Sequence, residues 1–318
     1  MHGEIKLFSG SSHPSLARAV AEHLGGGLAN LKLGRFSDGE IYAEIQESVR
    51  GKDVFVLQSL SSPVNDNLME LLVIVDALRR SSAGQITAVL PYYGYARQDR
   101  QATPRSAITA RLVADLLLAA GIQRVITVDL HAGQIQGFFS TPLDHLYAQP
   151  ILLGELRLRR IPPDELVIVA PDAGGVDRAR RYSQRLGAPL AIIDKRRSGP
   201  NVAQVMHLIG DVKDRTAFIV DDMIDTAGTL TQGAAAVLQH GAREVHAMAT
   251  HAVFSGEAIS RIEGSALKSV TVTDTIPPTA RALGCPKIKV LSIGPLLGDA
   301  IERVHGGRSI SSLFQEHE

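Results

Sequence analysis

Along the chain, short apolar segments rich in β-branched residues alternate with stretches whose apolar residues recur every three or four positions. The first pattern predicts strands and the second predicts amphipathic helices. The predicted strands are residues 53–59, 85–93, 124–130, 166–172, 190–195, 217–222 and 244–251. The predicted helices include residues 66–80, 106–120, 176–186 and 229–240, and the glycines at their ends are Gly121, Gly187 and Gly241. Strands that are apolar throughout and separated by helices predict an α/β fold with a mainly parallel sheet flanked by helices.

The alternation of strands and helices runs twice, which predicts two similar domains, residues 1–150 and 151–318. A charged and proline-containing stretch, "LRLRRIPPDE" (156–165), lies near the boundary, as expected of a surface connection. The tail "SISSLFQEHE" predicts a short terminal helix, and this last part of the chain is a candidate to pack on the first domain. A length of 318 residues accommodates two domains of ordinary size.

Charge and cysteine content argue against several classes of protein. Lysine plus arginine equals aspartate plus glutamate, 33 each, which argues against a protein held to nucleic acid by bulk charge but leaves small phosphorylated ligands open. The single Cys285 excludes an intrachain disulfide, as expected in a reducing compartment. The apolar runs are too short to cross a bilayer, and the N-terminus lacks the apolar segment of a signal peptide. A cytoplasmic protein without membrane contact is therefore expected.

Polar residues follow four of the predicted strands at the point where each strand ends. They include His131 after the third strand, Asp172 after the fourth, Lys195 after the fifth and Asp221 after the sixth. In open α/β sheets, ligands bind beyond the carboxyl ends of the strands. The sequence therefore predicts that these side chains point towards one rim.

The stretch "IVDDMIDTAGT" (219–229) combines a phosphate-binding pattern with acidic residues. Small residues before helix 229–240 can expose backbone N–H groups, and the start of a helix favours an anion. Acids beside such a loop suit a sugar phosphate, whose hydroxyl groups lie away from its phosphate. The competing interpretation is that one acid caps the helix and the others are solvated. It would explain a single aspartate, but it would not explain the whole stretch of residues 219–229. The candidate ribose-phosphate ligands are Asp221, Asp222, Asp225, Thr226, Ala227, Gly228 and Thr229.

This stretch resembles the signature of the type I phosphoribosyltransferase superfamily, whose members bind ribose 5-phosphate or its 1-pyrophosphate, PRPP. Five further motifs stand in one order along the chain. They are "GRFSDGE" (34–40), "PYYGYARQDR" (91–100), "VDLHAGQIQGFF" (128–139), "APDAGGVDRAR" (170–180) and "IDKRR" (193–197). Together they resemble the ribose-phosphate pyrophosphokinase family, from about residue 5 to 315. The resemblance implies two phosphoribosyltransferase-type domains.

The resemblance also implies a reaction in which ATP and ribose 5-phosphate give AMP and PRPP. The 1-hydroxyl of the sugar attacks the β-phosphorus of ATP, and the β,γ-diphosphoryl group moves as one unit. Lys195 and Arg197 are the candidate catalytic cations, because fixed positive charge acts most strongly where negative charge develops. Arg197 is also a candidate ligand of ribose 5-phosphate. The alternative for both residues is a solvated basic turn.

The resemblance assigns nucleotide and metal binding to residues of both domains. Arg97 and Gln98 resemble the ATP-binding pair of the family. The resemblance implies that His131 and Asp172 bind Mg²⁺, with phosphates of ATP as further ligands. Imidazole is an unusual ligand for Mg²⁺, which prefers oxygen. A purely hydrogen-bonding role for His131 therefore stays open.

A loop near the N-terminus resembles the adenine-contacting loop of the family. Its candidate ATP-binding residues are Phe36, Asp38, Gly39 and Glu40. In relatives this loop reaches the ATP site of a neighbouring subunit, which implies a homo-oligomer of dimer units, and hexamers are common. The residues alone also fit an ordinary β-turn around Asp38 and Gly39.

Three residues match positions of a regulatory site that binds phosphate as activator and ADP as inhibitor in relatives. They are Ser48, Arg50 and Arg105. Thr103 and Pro104 replace the arginine and serine expected beside Arg105. The resemblance therefore implies the reaction and leaves regulation open.

Two other functions compete with this prediction. A phosphoribosyltransferase that consumes PRPP would account for residues 219–229, but it would not need "PYYGYARQDR", "FSDGE" or a second domain. A non-catalytic partner that regulates a true synthase would be marked by altered catalytic motifs, and in this sequence those motifs are intact.

Overall fold

The computed structural model describes residues 4–196 and 205–314, with the side chains of residues 195, 196, 205 and 206 left out. The described chain forms two compact units. The first contains the residues up to Tyr147, Thr275–Pro277 and those from Ser292 onward. The second contains Ala148–Asp274 and Pro278–Leu291.

The first unit is built around a parallel sheet. Up to Tyr147 its elements are β1 (Ile5–Ser9), α1 (Pro14–His23), β2 (Leu31–Arg35), β3 (Ile41–Ile45), β4 (Asp53–Leu57), α2 (Val64–Arg80), β5 (Gln85–Leu90), α3 (Thr109–Ala120), β6 (Arg124–Val128) and β7 (Leu143–Leu146). In the described residues the sheet has the order β1–β4–β5–β6–β7, and every pair is parallel. Strands β2 and β3 form a separate antiparallel hairpin. All five residues of β4 are buried, as expected of a strand covered on both faces.

The second unit contains the longer sheet. Its elements are α4 (Gln149–Arg157), β8 (Leu166–Ala170), α5 (Val176–Leu186), β9 (Leu190–Arg196), β10 (Val205–Ile209), β11 (Thr216–Ile224), α6 (Gly228–Gln239), β12 (Glu244–Ala252), α7 (Ala258–Glu263), β13 (Ser269–Thr273), α8 (Ala280–Gly284) and β14 (Ile288–Leu291). The sheet order across the described residues is β10–β9–β8–β11–β12–β13–β14. Only β10, in this described sheet, is antiparallel to its neighbour.

The strand order reverses inside the second sheet, between β8 and β11. From β8 the chain continues to β9 on one side, whereas from β11 it continues to β12 on the other. The loops that leave the carboxyl ends of β8 and β11 therefore diverge and leave a crevice between them, which is where open α/β sheets bind ligands. In the first sheet the strand order follows the chain order instead.

The end of the described chain belongs to the first unit. Helix α9 (Gly294–His305) packs on α1, and His23 Nε2 lies 2.8 Å from Asp299 Oδ1. His305 Nδ1 lies 2.8 Å from Asp53 Oδ2 at the start of β4. The hydroxyl group of Ser59 donates a hydrogen bond of 2.7 Å to the carbonyl oxygen of Thr275, in the short segment that belongs to the same unit.

The predicted fold class is confirmed, and element ends differ from the predictions for physical reasons. The strands predicted at 85–93 and 166–172 end at Leu90 and Ala170, because a proline follows each of them and lacks the N–H group that a sheet needs. In the predicted terminal helix, the described residues form a single 3₁₀ turn, Ser311–Leu313.

The three predicted helix ends are confirmed by their glycines. The angle φ is +116° at Gly121, +62° at Gly187 and +94° at Gly241, in the left-handed region that only glycine adopts without strain. Of the helices in the described ranges, none combines the length and apolar character that a membrane span requires.

The turn that carries "PYYGYARQDR" depends on a close backbone approach at Gly94. A Cβ atom at Gly94 would overlap the carbonyl oxygen of Leu60 and would lie 3.0 Å from Val64 Cγ1. Gly94→Ala is therefore expected to lower the free energy of unfolding by about 1–3 kcal/mol, the usual cost of overpacking. Gly26→Ala is the matched control, because a Cβ atom there meets nothing within 4 Å. Thermal unfolding followed by circular dichroism compares the two, and equal Tm values would contradict the expectation.

Candidate active site

The stretch 219–229 forms the end of β11, a short loop and the start of α6. Strand β11 ends at Ile224 and α6 begins at Gly228. Ala227, directly before the helix, has φ +58° and ψ +1°, a left-handed conformation that is costly for a residue with a Cβ atom. Such strain is kept where the surrounding structure enforces it, and it is concentrated at functional sites.

A cavity of about 230 Å³ lies at this loop. Its lining includes Asp172 from the turn after β8, Asp221 from β11, Asp225 from the loop and residues 226–230 from the start of α6. The first N–H groups of a helix have no partner within the helix, so this end of the cavity suits an anion. Carboxylates line the rest, where hydroxyl groups would find acceptors. The cavity thus joins the two loops that diverge at the strand-order reversal.

Neighbouring side chains fix the conformation of this loop. Arg261 Nη1 donates a hydrogen bond of 2.7 Å to the carbonyl oxygen of Thr226. The Ser255 hydroxyl group donates to Asp225 Oδ1. In the turn after β8, Asp172 Oδ1 accepts a hydrogen bond of 3.0 Å from the backbone N–H of Gly175. Hydrogen bonds within the protein therefore hold the side chains of Asp172 and Asp225 in place at the cavity.

Asp221 and Asp222 form an adjacent pair of carboxylates at the edge of the cavity. Asp221 lines the cavity, whereas Asp222 is only 4% exposed and lies behind it. Arg178 Nη1 lies 3.2 Å from Asp221 Oδ1 and 3.5 Å from Asp222 Oδ1. Burial, followed by the negative charge of Asp222, raises the pKa of Asp221, and the positive charge of Arg178 opposes this shift.

Arg97 and Gln98 line two cavities of the first unit. The larger cavity, of about 710 Å³, is also lined by Pro63, Asn65, Asp66, Tyr92 and Tyr95. The smaller, of about 280 Å³, adds Asp99, Arg100 and His131. The hydroxyl group of Thr109 donates a hydrogen bond of 2.8 Å to Gln98 Oε1 and so orients this amide. The structure thus brings Arg97, Gln98 and His131 together.

The candidate adenine-contacting loop is the tip of the β2–β3 hairpin. Phe36 is 57% exposed there, with its ring centroid 5.2 Å from that of Tyr42. Asp38 Oδ1 accepts a hydrogen bond of 3.1 Å from the N–H of Glu40, and Gly39 has φ +97°. The tip is therefore an ordered turn that presents an aromatic ring to its surroundings.

The other candidate residues lie apart from these cavities or outside the described side chains. Lys195 lies in β9, in register with Met206 of β10, but its side chain is not described. Arg197 lies outside the described residues. Ser48, Arg50 and Arg105 are exposed, and neither Ser48 nor Arg50 lines any of the three cavities.

The described residues offer at most part of a metal site. Within residues 4–196 and 205–314, no group of three or more histidine, cysteine or acidic side chains is placed to hold a metal ion. A metal held by His131 or Asp172 would therefore need ligands that the described side chains do not supply, such as phosphate oxygens and water.

Sequence analysis missed Arg178, which contacts both members of the acidic pair. Its position offered a signal, because it stands six residues after Asp172 on a helix that packs against β8 and β11. It also missed the aromatic lining that Tyr92 and Tyr95 give to the larger cavity of the first unit.

A mainly parallel sheet whose strand order reverses beside a helix start that suits an anion, with acids lining the same cavity, is typical of an α/β protein of the phosphoribosyltransferase type. Two family models match the chain. The N-terminal domain of ribose phosphate pyrophosphokinase matches residues 5–121, and the phosphoribosyl synthetase-associated domain matches residues 195–315.

Relatives of the same length identify the family. The chain is 57% identical to the ribose-phosphate pyrophosphokinase of Caldanaerobacter subterraneus over 311 residues, which is 98% of both chains. It is 55% identical to that of Burkholderia pseudomallei over 318 residues, 99% of both. A phosphoribosylpyrophosphate synthetase structure from Mycobacterium smegmatis superimposes with a TM-score of 0.91 at 44% identity, over 96% of this chain and 99% of that one. The chain belongs to the ribose-phosphate pyrophosphokinase family.

Removing the charge of Asp221 is expected to stabilise the protein, increasingly so as the pH rises. The folded state raises the pKa of Asp221, so it binds a proton more tightly than the unfolded state does. The free energy of unfolding of the wild type then falls as the pH rises from the ordinary pKa of a carboxyl group to the raised pKa of Asp221. Asp221→Asn has no carboxyl group at this position, so it does not lose this stability. The gain in Tm should be small at pH 5 and larger at pH 8.

The matched control is Asp177→Asn, because the Asp177 side chain is 85% exposed. Its Tm should differ little from that of the wild type at both pH values. A gain in Tm for Asp221→Asn that is equal at pH 5 and pH 8 would show that the charge of Asp221 does not cause it.

Proposed function

We propose that the protein is a ribose-phosphate diphosphokinase. It transfers the β,γ-diphosphoryl group of ATP to the 1-hydroxyl of ribose 5-phosphate and releases AMP and PRPP for nucleotide biosynthesis. The observation that carries this proposal is the cavity at residues 221–230, which has an anion site at one end and carboxylates at the other. Full-length similarity to ribose-phosphate pyrophosphokinases supports the same reaction.

Ribose 5-phosphate binds in that cavity in this proposal. Its phosphate accepts hydrogen bonds from the backbone of Ala227, Gly228 and Thr229 and from the hydroxyl groups of Thr226 and Thr229. The ring hydroxyl groups donate to Asp221 and Asp225, and Asp222 supports this arrangement from behind. The volume of about 230 Å³ suits one phosphorylated pentose.

ATP binds in the first unit, where Arg97 and Gln98 line both cavities. Arg97 takes phosphate oxygens, because a guanidinium group can grip two of them at once. Gln98 contacts the adenine or its ribose. The aromatic lining of the larger cavity suits a planar base.

Mg²⁺ is the proposed metal, with Asp172 and His131 each a candidate ligand beside phosphate oxygens of ATP. Asp172 offers the oxygen ligand that Mg²⁺ prefers, and His131 is the less usual donor. The ion, when bound, neutralises negative charge on the phosphates.

Lys195 and Arg197 are the proposed catalytic cations. Charge shifts on the diphosphoryl group as its bond to AMP breaks, and fixed cations stabilise that charge without rearrangement. Arg197 also contacts ribose 5-phosphate in this proposal. Lys195 lies near the end of β9, whose neighbour β8 leads to Asp172, and Arg197 stands two residues later in the sequence.

Neither competing function is favoured. A phosphoribosyltransferase that consumes PRPP would match the family over only part of its length, and a non-catalytic regulatory partner would show altered catalytic motifs. Instead, the match to ribose-phosphate pyrophosphokinases covers 98% of this chain, with identity above one half.

The reaction is tested by mixing the purified protein with ATP, ribose 5-phosphate and Mg²⁺. Equal amounts of AMP and PRPP are expected, formed only in the presence of the sugar, and formation of ADP would contradict diphosphoryl transfer.

Lys195→Ala should lower kcat by about 10²–10³-fold with an unchanged Tm, the cost of removing one donor to developing charge. Lys213→Ala, an exposed lysine of the same unit, is the matched control.

The protein is also proposed to be a homo-oligomer of dimer units, forming a hexamer, in which each ATP site is shared between subunits. An aromatic ring such as that of Phe36, 57% exposed at a hairpin tip, suits contact with a second copy. Ile108, Leu112 and Leu116 form an exposed apolar row on and beside α3. Such rows commonly mark protein interfaces.

Subunit mixing tests the shared site. Phe36→Ala and Lys195→Ala should each be nearly inactive at low ATP. In hybrids made by co-expression, some sites combine the intact Phe36 of one subunit with the intact Lys195 of another. Activity should therefore return to about a quarter of the sites in a random mixture. No gain over the separate variants would mean that Phe36 serves its own subunit.

Two further assignments complete the proposal. Ser48, Arg50 and Arg105 are proposed to form a regulatory site for phosphate and ADP, supported by their exposure. The cytoplasm is the proposed location, supported by a single cysteine that is buried and unpaired.

A further inference from the structure

Arg178 occupies a position from which it can control the acids of the proposed sugar site. It lies on α5, which begins directly after the turn that carries Asp172. Its side chain is 20% exposed, and Nη1 contacts Oδ1 of both Asp221 and Asp222, at 3.2 and 3.5 Å. One cationic group therefore serves two adjacent carboxylates.

Two carboxylates at such close range cannot both be charged without compensation. Asp222 is 4% exposed, so water screens its charge poorly. Without this cation, the pair would keep its proton to a higher pH, and a protonated carboxyl group is a weaker acceptor for sugar hydroxyl groups. Asp221 Oδ1 also accepts a hydrogen bond of 2.9 Å from the backbone N–H of Asp222, which helps to hold it in place.

We propose that Arg178 is a positioning residue of the sugar site, which orients Asp221 and Asp222 to accept hydrogen bonds from the ring hydroxyl groups of a furanose phosphate and stabilises their negative charge. This inference rests on the proposed function. Arg178 acts through the two carboxylates, so it governs the affinity for the sugar. The chemistry at the phosphorus atom does not depend on it.

Other charged and titratable groups face the acidic pair from neighbouring elements. Asp172 and Asp225 line the same cavity and add negative charge. On β12, Ala249 pairs in register with Asp221, and His251 follows two residues later beside Met223. Arg178 contacts both carboxylates of the pair. Its loss therefore removes a positive charge from a cavity lined by several acids.

The pH dependence of sugar binding follows from this arrangement. An opposite charge nearby lowers the pKa of a carboxyl group by about 1–3 units, and partial exposure favours the lower end of this range. Arg178→Gln should therefore move the acidic limb of kcat/KM for ribose 5-phosphate towards higher pH. Near pH 7 the KM for the sugar should rise about tenfold, since one pKa unit corresponds to a factor of ten. This difference should shrink as the pH rises and the pair loses its proton.

The experiment compares Arg178→Gln, Arg178→Lys and Arg180→Gln with the wild type between pH 6 and 9.5. Arg180 lies on the same helix and pairs with Asp177 in an exposed position, so its variant is the matched control. Arg178→Lys keeps the charge and should restore most of the affinity. The kcat at saturating sugar and the KM for ATP should stay close to wild-type values in all three variants. Thermal unfolding checks that each variant folds.

A loss of affinity for the sugar in Arg178→Gln that is equal at every pH would overturn the proposal, and so would a kcat that falls with an unchanged KM. Failure of Arg178→Lys to restore binding, in a folded protein, would have the same meaning. Calorimetric titration with ribose 5-phosphate alone repeats the comparison without turnover. An active wild type with no pH-dependent difference refutes the role of Arg178, whereas an inactive wild type that still binds the sugar refutes only the proposed reaction.

Discussion

The adjacency of β8 and β11 is the constraint on which the proposed site depends. The chain leaves these two strands in opposite directions, so the turn after β8 and the loop after β11 border one crevice. Asp172 and the start of α6 thereby line the same cavity, although more than fifty residues separate them along the chain. The first sheet has no such reversal in its described strands, and its cavities lie instead around the turns that carry Arg97, Gln98 and His131.

Several acids can lie close to a helix start that suits an anion because each acid has a different environment. Asp222 is buried against Arg178, Asp225 accepts a hydrogen bond from Ser255, and Asp221 faces the cavity. The start of α6 provides donors at the other end, where its N–H groups lack helical partners. Burial and the negative charge of Asp222 raise the pKa of Asp221. Shifted pKa values of this kind are concentrated at functional sites.

Much of this architecture could be predicted from the sequence, because its signals are local. Apolar strands, helical spacing and terminal glycines predicted the fold class, and the string 219–229 predicted a loop that indeed lines a cavity. Strand order could not be predicted in this way, because pairing joins segments far apart in sequence. For the same reason the contact of Arg178 with Asp221 was missed, since an arginine on a polar helix face usually meets solvent.

The return of α9 to the first unit bears on how the protein is made. Strands β1 and β4 and helix α1 leave the ribosome early, yet the contacts of His23 with Asp299 and of Asp53 with His305 form only after α9 has been made. The N-terminal half therefore leaves the exit tunnel with part of its surface uncovered, while the second unit emerges with most of its own contacts close behind it. Nascent chains arrested shortly before Ser292 would expose this surface to chaperones, and synthesis of α9 would cover it.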